Sequence, residues 1–240
     1  MKFENITLSY QDKIVVKDVN LSLPKAKLCA LIGPSGSGKS TLLNSIFNHS
    51  IIKSGILKFN NKNVKDFNNK ELKKFKQQIY YLKPENNLVE DLDFYQNLMS
   101  DFKFYKNKFY KFFKILTKKQ KEELFALLSK LSMQEYAFEK ITKLSSGQKQ
   151  RLSIAKMLFN KPKIILADEP TSNLDIVNTK LIFDLLNEYK LNAHIIVAIH
   201  DLNSALEHFD KFFVFSKNDA KIKELNKQEL NITQLTKYYE

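Results

Sequence analysis

The sequence of 240 residues predicts an α/β fold. Three observations carry that prediction. Leu28 to Ile32 is an apolar run that leads into a glycine-rich loop and then into a helix-compatible stretch, Thr41 to Phe47. A second apolar run, Ile164 to Ala167, ends in two carboxylates, Asp168 and Glu169. A third, Ile195 to Ile199, ends at His200. Short apolar runs that deliver polar groups at their C-terminal ends have the pattern of buried parallel strands.

The loop between the first strand and its helix reads Gly33-Pro34-Ser35-Gly36-Ser37-Gly38-Lys39-Ser40. It fits the phosphate-binding pattern G-x-x-x-x-G-K-[ST], in the strand–loop–helix context that the pattern requires. Gly33, Gly36 and Gly38 allow a tight turn in which several backbone N–H groups converge on a polyanion. The helix that opens through Thr41 adds free N–H groups and the positive end of its dipole. Lys39 has the reach for β- and γ-phosphates, and the Ser40 hydroxyl suits Mg²⁺. The loop therefore predicts nucleotide binding without saying what the nucleotide is used for.

Before the loop, residues 1–32 alternate in the manner of strands, and two or three antiparallel strands are expected there. Tyr10 ends the first, as a plain strand residue or as a flat platform for a base. Residues 51–65 form a further β stretch with Gly55, 69–78 a polar helix, and Ile79 to Leu82 a short strand that stops at Pro84. Residues 91–141 contain neither Gly nor Pro and are expected to be mostly helical. Within them, Phe102, Tyr105, Phe109, Phe112 and Phe113 fall at helical spacing, interleaved with Lys103, Lys106, Lys108, Lys111 and Lys114. The pattern fits a packed amphipathic helix with solvated lysines, a membrane-surface helix or a nucleic-acid surface.

Further on, Leu144-Ser145-Ser146-Gly147-Gln148 opens another helix, whose N-terminus is a second anion site; a simple helix cap is the other role for Ser145. Beside a phosphate loop, Asp168 suits Mg²⁺, directly or through water, and Glu169 suits activation of an attacking water. His200 ends its strand in the same relative place, within reach of a γ-phosphate, whereas His49, His194 and His208 are expected on the surface or in loops. A turn at Thr171 to Asp175 leads into a helix through Leu186, Phe212 to Phe215 forms a further strand, and a final helix is expected within 216–240.

Composition narrows the class. No apolar run is long enough to span a bilayer, and Met1 to Asn5 does not begin an apolar leader, so a cytoplasmic setting is expected. Cys29, the single cysteine, has the setting of a small buried hydrophobe. The net charge of +13 invites a nucleic-acid or membrane-surface reading, but it comes from 38 Lys and 1 Arg, a bias typical of AT-rich genomes that discounts the signal in part; the positive field favours anionic lipid headgroups where one face lies near a membrane. Arg151, alone among so many lysines, marks a place where a planar two-pronged donor matters.

Together the motifs resemble the ATP-binding subunit of ABC transporters, over almost the whole chain. Gly33 to Ser40 is similar to Walker A, Leu144 to Gln148 to the LSGGQ signature, and Ile164 to Glu169 to Walker B with its catalytic glutamate. Ser172 to Asp175 resembles the D-loop, His200 the switch histidine and Tyr10 the adenine-stacking aromatic. The signature discriminates, since other phosphate-loop enzymes lack it. The resemblance implies a P-loop NTPase core with an antiparallel β subdomain (1–84 and 160–220), an inserted helical subdomain (85–159) and a short tail (221–240). It implies a head-to-tail dimer, of two copies or with a second ABC ATPase. Two ATP molecules would lie between Walker A of one chain and Ser145, Gly147 and Gln148 of the other, with Asp175 nearby and Mg²⁺ on Ser40 and Asp168. It further implies an integral membrane permease as partner and a location at the cytoplasmic face of the membrane. The alternative that the charge suggests, a soluble ABC ATPase acting on nucleic acid, is disfavoured because such proteins usually carry two ATPase domains or a long coiled-coil insertion, whereas this sequence has one set of motifs and no such insertion, so no nucleic acid is expected.

Phe112 to Lys121, Ala126 to Leu128, Tyr136 to Phe138 and the tail at Leu235 to Tyr238 resemble phosphonate-importer ATPases, a group whose small-genome members work beside a substrate-binding lipoprotein. Phosphonate, phosphate or a phosphorylated vitamin is then the expected cargo. Ala167 to Asp175 is also worded as in exporter and lipoprotein-release ATPases. Two departures stand out. Ser146 replaces a signature glycine, and Pro84 stands where the family has its Q-loop glutamine, with Glu85 as the nearest oxygen donor. Proline offers no side-chain oxygen, so intact ATP binding with altered coupling of hydrolysis is expected.

Overall fold

A computed structural model describes residues 1–10, 13–85, 87–216 and 221–227. The chain forms two compact units: Met1–Tyr81 with Lys163–Pro170 and the described residues from Phe183 onward, and Leu82–Pro162 with Thr171–Ile182.

The first unit holds two sheets. One has strand order β2-β1-β4-β5, from β1 (Lys2–Tyr10), β2 (Lys13–Ser22), β4 (Ile52–Phe59) and β5 (Lys62–Asn63), with neighbours antiparallel. The other has order β10-β9-β3-β8-β7-β6, with β10 (Ile222–Asn226) and β6 (Ile79–Leu82) at its two edges. Its parallel centre is β9 (Lys211–Phe215), β3 (Leu28–Ile32), β8 (His194–Ala198) and β7 (Ile164–Asp168). Every residue of β3, β7 and β8 is buried, which is why these strands read as unbroken apolar runs. Helix α1 (Lys39–Phe47) follows the glycine loop, and α2 (Asn69–Gln77) opens with a capping box between Asn68 and Glu71. Ile6, Leu8 and Val16 of the first sheet share one apolar cluster with Leu43 of α1 and with Leu31 and Phe213 of the second sheet. Each such side chain contributes about 1.5–3 kcal/mol by leaving water.

The second unit is helical, with α3 (Phe94–Asp101), α4 (Lys108–Phe112), α5 (Lys118–Lys130) and α6 (Ser146–Phe159). Capping boxes open α3, α5 and α6. Helix α7 (Ile176–Tyr189) begins in this unit and ends in the first, where α8 (Leu202–His208) also lies. Among the described residues, no helix is long and apolar enough to cross a membrane.

Several expectations need correction. The helical unit runs over Leu82–Pro162 rather than 85–159 and also takes in Thr171–Ile182, because the Thr171 to Asp175 turn packs on α6: a Cβ on Gly147 would lie 3.1 Å from the Asn173 carbonyl oxygen. The stretch from 221 is not merely a tail, since β10 (Ile222–Asn226) pairs antiparallel with β9. The final helix and the Leu235 to Tyr238 resemblance lie outside the described residues. Phe102 to Lys121 is not one helix. Phe102 is extended and buried, α4 is short, and Lys114 turns the chain at φ 50° while Ile115 N–H returns to the Tyr110 carbonyl. His194 is buried in β8 with Nδ1 2.8 Å from the Leu23 carbonyl oxygen. His49 and His208 are also largely covered; burial lowers the pKa of His49. Cys29 is buried as expected, and burial pushes its thiol up to about 12.

Gly55 in β4 sits at φ +90°, where a Cβ would lie 2.3 Å from the Asn5 carbonyl oxygen. Asn5 is itself at φ 50°, in the register shift between Phe3 and Ile6, and its side chain accepts a hydrogen bond from Asn20 at 2.8 Å. This bulge admits only glycine opposite it. Gly55→Ala is expected to destabilise by about 2–4 kcal/mol and lower the Tm by roughly 5–15 °C in a thermal melt.

Candidate active site

Residues 33–38 link β3 to α1, and Lys39, Ser40 and Thr41 form the first turn of that helix. Gly38 adopts φ +105°, and a Cβ there would fall 2.7 Å from Val16 Cγ2, so the loop is pressed against the first sheet in a way only glycine permits. Ser35, Gly36 and Ser40 are exposed, and Pro34, Ser37 and Thr41 partly so. Lys39 is buried, and its Nζ donates to the carbonyls of Gly33 (2.7 Å) and Pro34 (3.0 Å). Two of the ammonium's three donors are thereby used within the loop. Burial lowers the Lys39 pKa, against the pull of the Glu169 and Asp168 carboxylates.

Asp168 ends β7 and is buried. Burial raises its pKa, while a hydrogen bond from Ser40 opposes that shift. The Tyr81 hydroxyl lies 3.4 Å from its Oδ2. Glu169 follows at φ 50°, a turn that takes it off the strand line, with its N–H on the Ala198 carbonyl. Its Oε1 is 2.8 Å from His200 Nε2. Sequence patterns thus predicted residues that the first unit brings together, although Ser40, Asp168 and His200 are far apart in the chain. Tyr81 was not among them. Its signal is slight, a tyrosine in the short apolar strand β6 (Ile79–Leu82) beside β7.

The chemistry of the loop and its neighbours fits a nucleotide polyphosphate with Mg²⁺. The Ser37 hydroxyl is buried without a hydrogen-bond partner, in a loop that already holds a buried ammonium. An orphaned donor, a cation and, nearby, a hydroxyl paired to a buried carboxylate make the donor set that a phosphate chain and an oxygen-seeking divalent cation need. Tyr10 stands at the exposed end of β1, its hydroxyl accepting from Asn44 Nδ2 at 3.1 Å. That bond ties its ring to α1.

The second unit holds the other predicted residues. Ser145 Oγ accepts from the Gln148 N–H at 3.3 Å, and Gln148 Oε1 accepts from the Ser145 N–H at 2.8 Å. Both side chains therefore cap α6, with Gly147 in its first turn. Asp175 is exposed and caps α7 through the N–H and Nδ2 of Asn178, which hold its carboxyl below the ordinary range. Arg151 Nη1 donates to the Leu131 carbonyl, just past α5, at 2.9 Å, and its Nε is buried without a partner. Pro84 and Glu85 are exposed in a turn just after β6.

A match to the family described as ABC transporter spans residues 16–172. The chain belongs to the ABC transporter family. It is 32% identical over 222 residues to a probable ABC transporter ATP-binding protein p29 of Mesomycoplasma hyorhinis, covering 91% of this chain and 88% of that one. It is 32% identical over 239 residues to a phosphonates import ATP-binding protein PhnC of Lactococcus lactis subsp. cremoris, covering 96% and 97%. Among solved structures, the ATP-binding cassette MJ0796, a dimer in a post-hydrolysis state bound to ADP and Pi, matches with a TM-score of 0.78 at 29% identity, covering 94% of this chain and 97% of that one. The fold is that of an ABC ATPase, and the protein is an ABC-type ATPase subunit of a transporter.

The raised Asp168 pKa has a consequence for stability. Above that raised value the ionised carboxylate weakens the fold relative to the unfolded chain; once pH falls below the ordinary carboxylate range both states are protonated and the penalty is gone. Asp168→Asn is therefore expected to raise the Tm of the nucleotide-free protein at neutral pH. The gain should shrink as pH falls into the carboxylate range, measured by melts across pH.

Proposed function

We propose that this ATPase powers import of a phosphonate or another phosphorylated compound through a membrane permease, at the cytoplasmic face of the membrane. The observation that carries the import reading is the 32% identity, over nearly the whole chain, to an ATP-binding protein whose name specifies phosphonates import. The sequence likeness of Phe112 to Lys121 to the same group supports it. A substrate-binding lipoprotein supplies the cargo. Two ABC subunits, identical or not, close head to tail on two ATP molecules, each between a Lys39 loop and the α6 N-terminus of the other subunit with Asp175 beside it. Transport follows from the open–close cycle.

Within the site, Lys39, Ser37 and the loop N–H groups bind and orient the β- and γ-phosphates, and Tyr10 stacks on the adenine. Ser40 and Asp168 are the residues that would hold Mg²⁺, which when bound neutralises charge developing on the phosphates. Tyr81 and the Ser40 hydroxyl hold the Asp168 carboxylate in place. Glu169 takes the proton from the attacking water. The His200 ring, with its proton on Nε2, donates to Glu169 Oε1 and fixes that carboxylate's direction. Glu169→Gln is expected to cut turnover by about 10²–10⁴-fold while ATP affinity stays within about threefold. A variant that still hydrolyses ATP at the wild-type rate removes Glu169 from this role.

Pro84 offers no amide where the family's Q-loop glutamine stands, so hydrolysis is loosely coupled to the permease although ATP binds normally. The expected result is micromolar Mg-ATP affinity in the purified subunit, and stronger stimulation of turnover by the permease in lipid for Pro84→Gln. Binding only in the millimolar range, or no change in stimulation, contradicts this.

A further inference from the structure

The transport reading leaves one conspicuous surface unused, the projection from Lys103 to Ile115 in the helical unit. Along it every residue is exposed except Tyr105 and Tyr110, which are partly covered. Phe112 is 81% exposed, Phe109 61% and Phe113 53%. These rings pack on one another rather than on a core: Phe109 and Phe113 have centroids 4.7 Å apart, and Phe112 meets Phe113 edge-on at 5.1 Å. Between Phe102 and Lys121 there are eight lysines and no carboxylate. The projection is held at its base. Phe102 is buried, 5.3 Å from Phe159, and Leu116 is buried at the other end. Gln120 Nε2 donates to the Phe104 carbonyl at 2.7 Å, and the Tyr105 hydroxyl donates to the Met99 carbonyl at 3.3 Å.

We infer that this phenylalanine knob, ringed by lysines, docks on an anionic lipid surface. An apolar cluster left in water next to uniform positive charge is matched by acyl chains beneath negative headgroups. The neighbouring candidates fit less well. The rings meet edge-on or tilted and leave no flat stack on which successive bases would lie. A second copy of the same surface would bring five lysines against five. Since the segment is already held at both ends, insertion orders little chain. The contact would add a second attachment to the membrane, independent of any permease.

The test is flotation of the full chain, without permease, on vesicles of equal parts phosphatidylglycerol and phosphatidylcholine or of phosphatidylcholine alone. Binding to the anionic vesicles that weakens with salt, and little binding to the neutral ones, is expected. Phe112→Ser with Phe113→Ser should weaken it about tenfold or more, with Tm and ATP turnover unchanged. Lys108→Gln with Lys111→Gln and Lys114→Gln should abolish the preference for anionic lipid. Absence of flotation, equal flotation on neutral vesicles, or unchanged flotation of the phenylalanine variant overturns the inference. So does binding of a single-stranded RNA oligomer that the same variants lose while vesicles bind nothing, which would make the surface one for nucleic acid.

Discussion

The buried ammonium of Lys39 is the constraint on which the site depends. It lies at the first turn of α1, held by two carbonyls of its own loop, in a setting that disfavours its charge. Asp168, a carboxylate in the same unit, is disfavoured by burial too. Opposite charges held dry in one site, each short of solvation, cost stability in the empty protein.

The sheet makes this arrangement possible. In the parallel centre the order is β9-β3-β8-β7, so the strand preceding the glycine loop, the strand ending at Ala198 and the strand ending at Asp168 are consecutive neighbours. Their C-terminal ends deliver the loop, His200 and the Asp168–Glu169 pair to one edge. The Glu169 N–H on the Ala198 carbonyl joins two of these ends directly, and the positive φ of Glu169 turns its side chain onto His200. Long-range pairing of strands, rather than proximity in the chain, assembles the chemistry.

The helical unit works by a different economy. Its helices are closed by reciprocal caps, and the caps on α6 use the side chains of Ser145 and Gln148. The role that the structure shows for Ser145 is the cap: its side chain and that of Gln148 each accept from the other residue's N–H and fix the first turn of α6. Arg151 serves the same unit from within, its guanidinium on the carbonyl that follows α5, where a cation also suits the helix dipole.

The sequence by itself determined the glycine loop, the buried strands, the acidic strand end and the signature helix. Each is specified by a local pattern: glycines where φ is positive, unbroken apolar runs where both faces of a strand are covered, a capping residue before a helix. The fate of the aromatic stretch was decided only in three dimensions. Helical spacing marks apolar residues without saying whether anything covers them, and Phe102 is buried while Phe112 is not. The same holds for Tyr81 beside Asp168, for the partner of Arg151 and for the burial of His194. These are contacts between residues remote in the chain, and periodicity encodes only the face a residue occupies, never the element that packs against it.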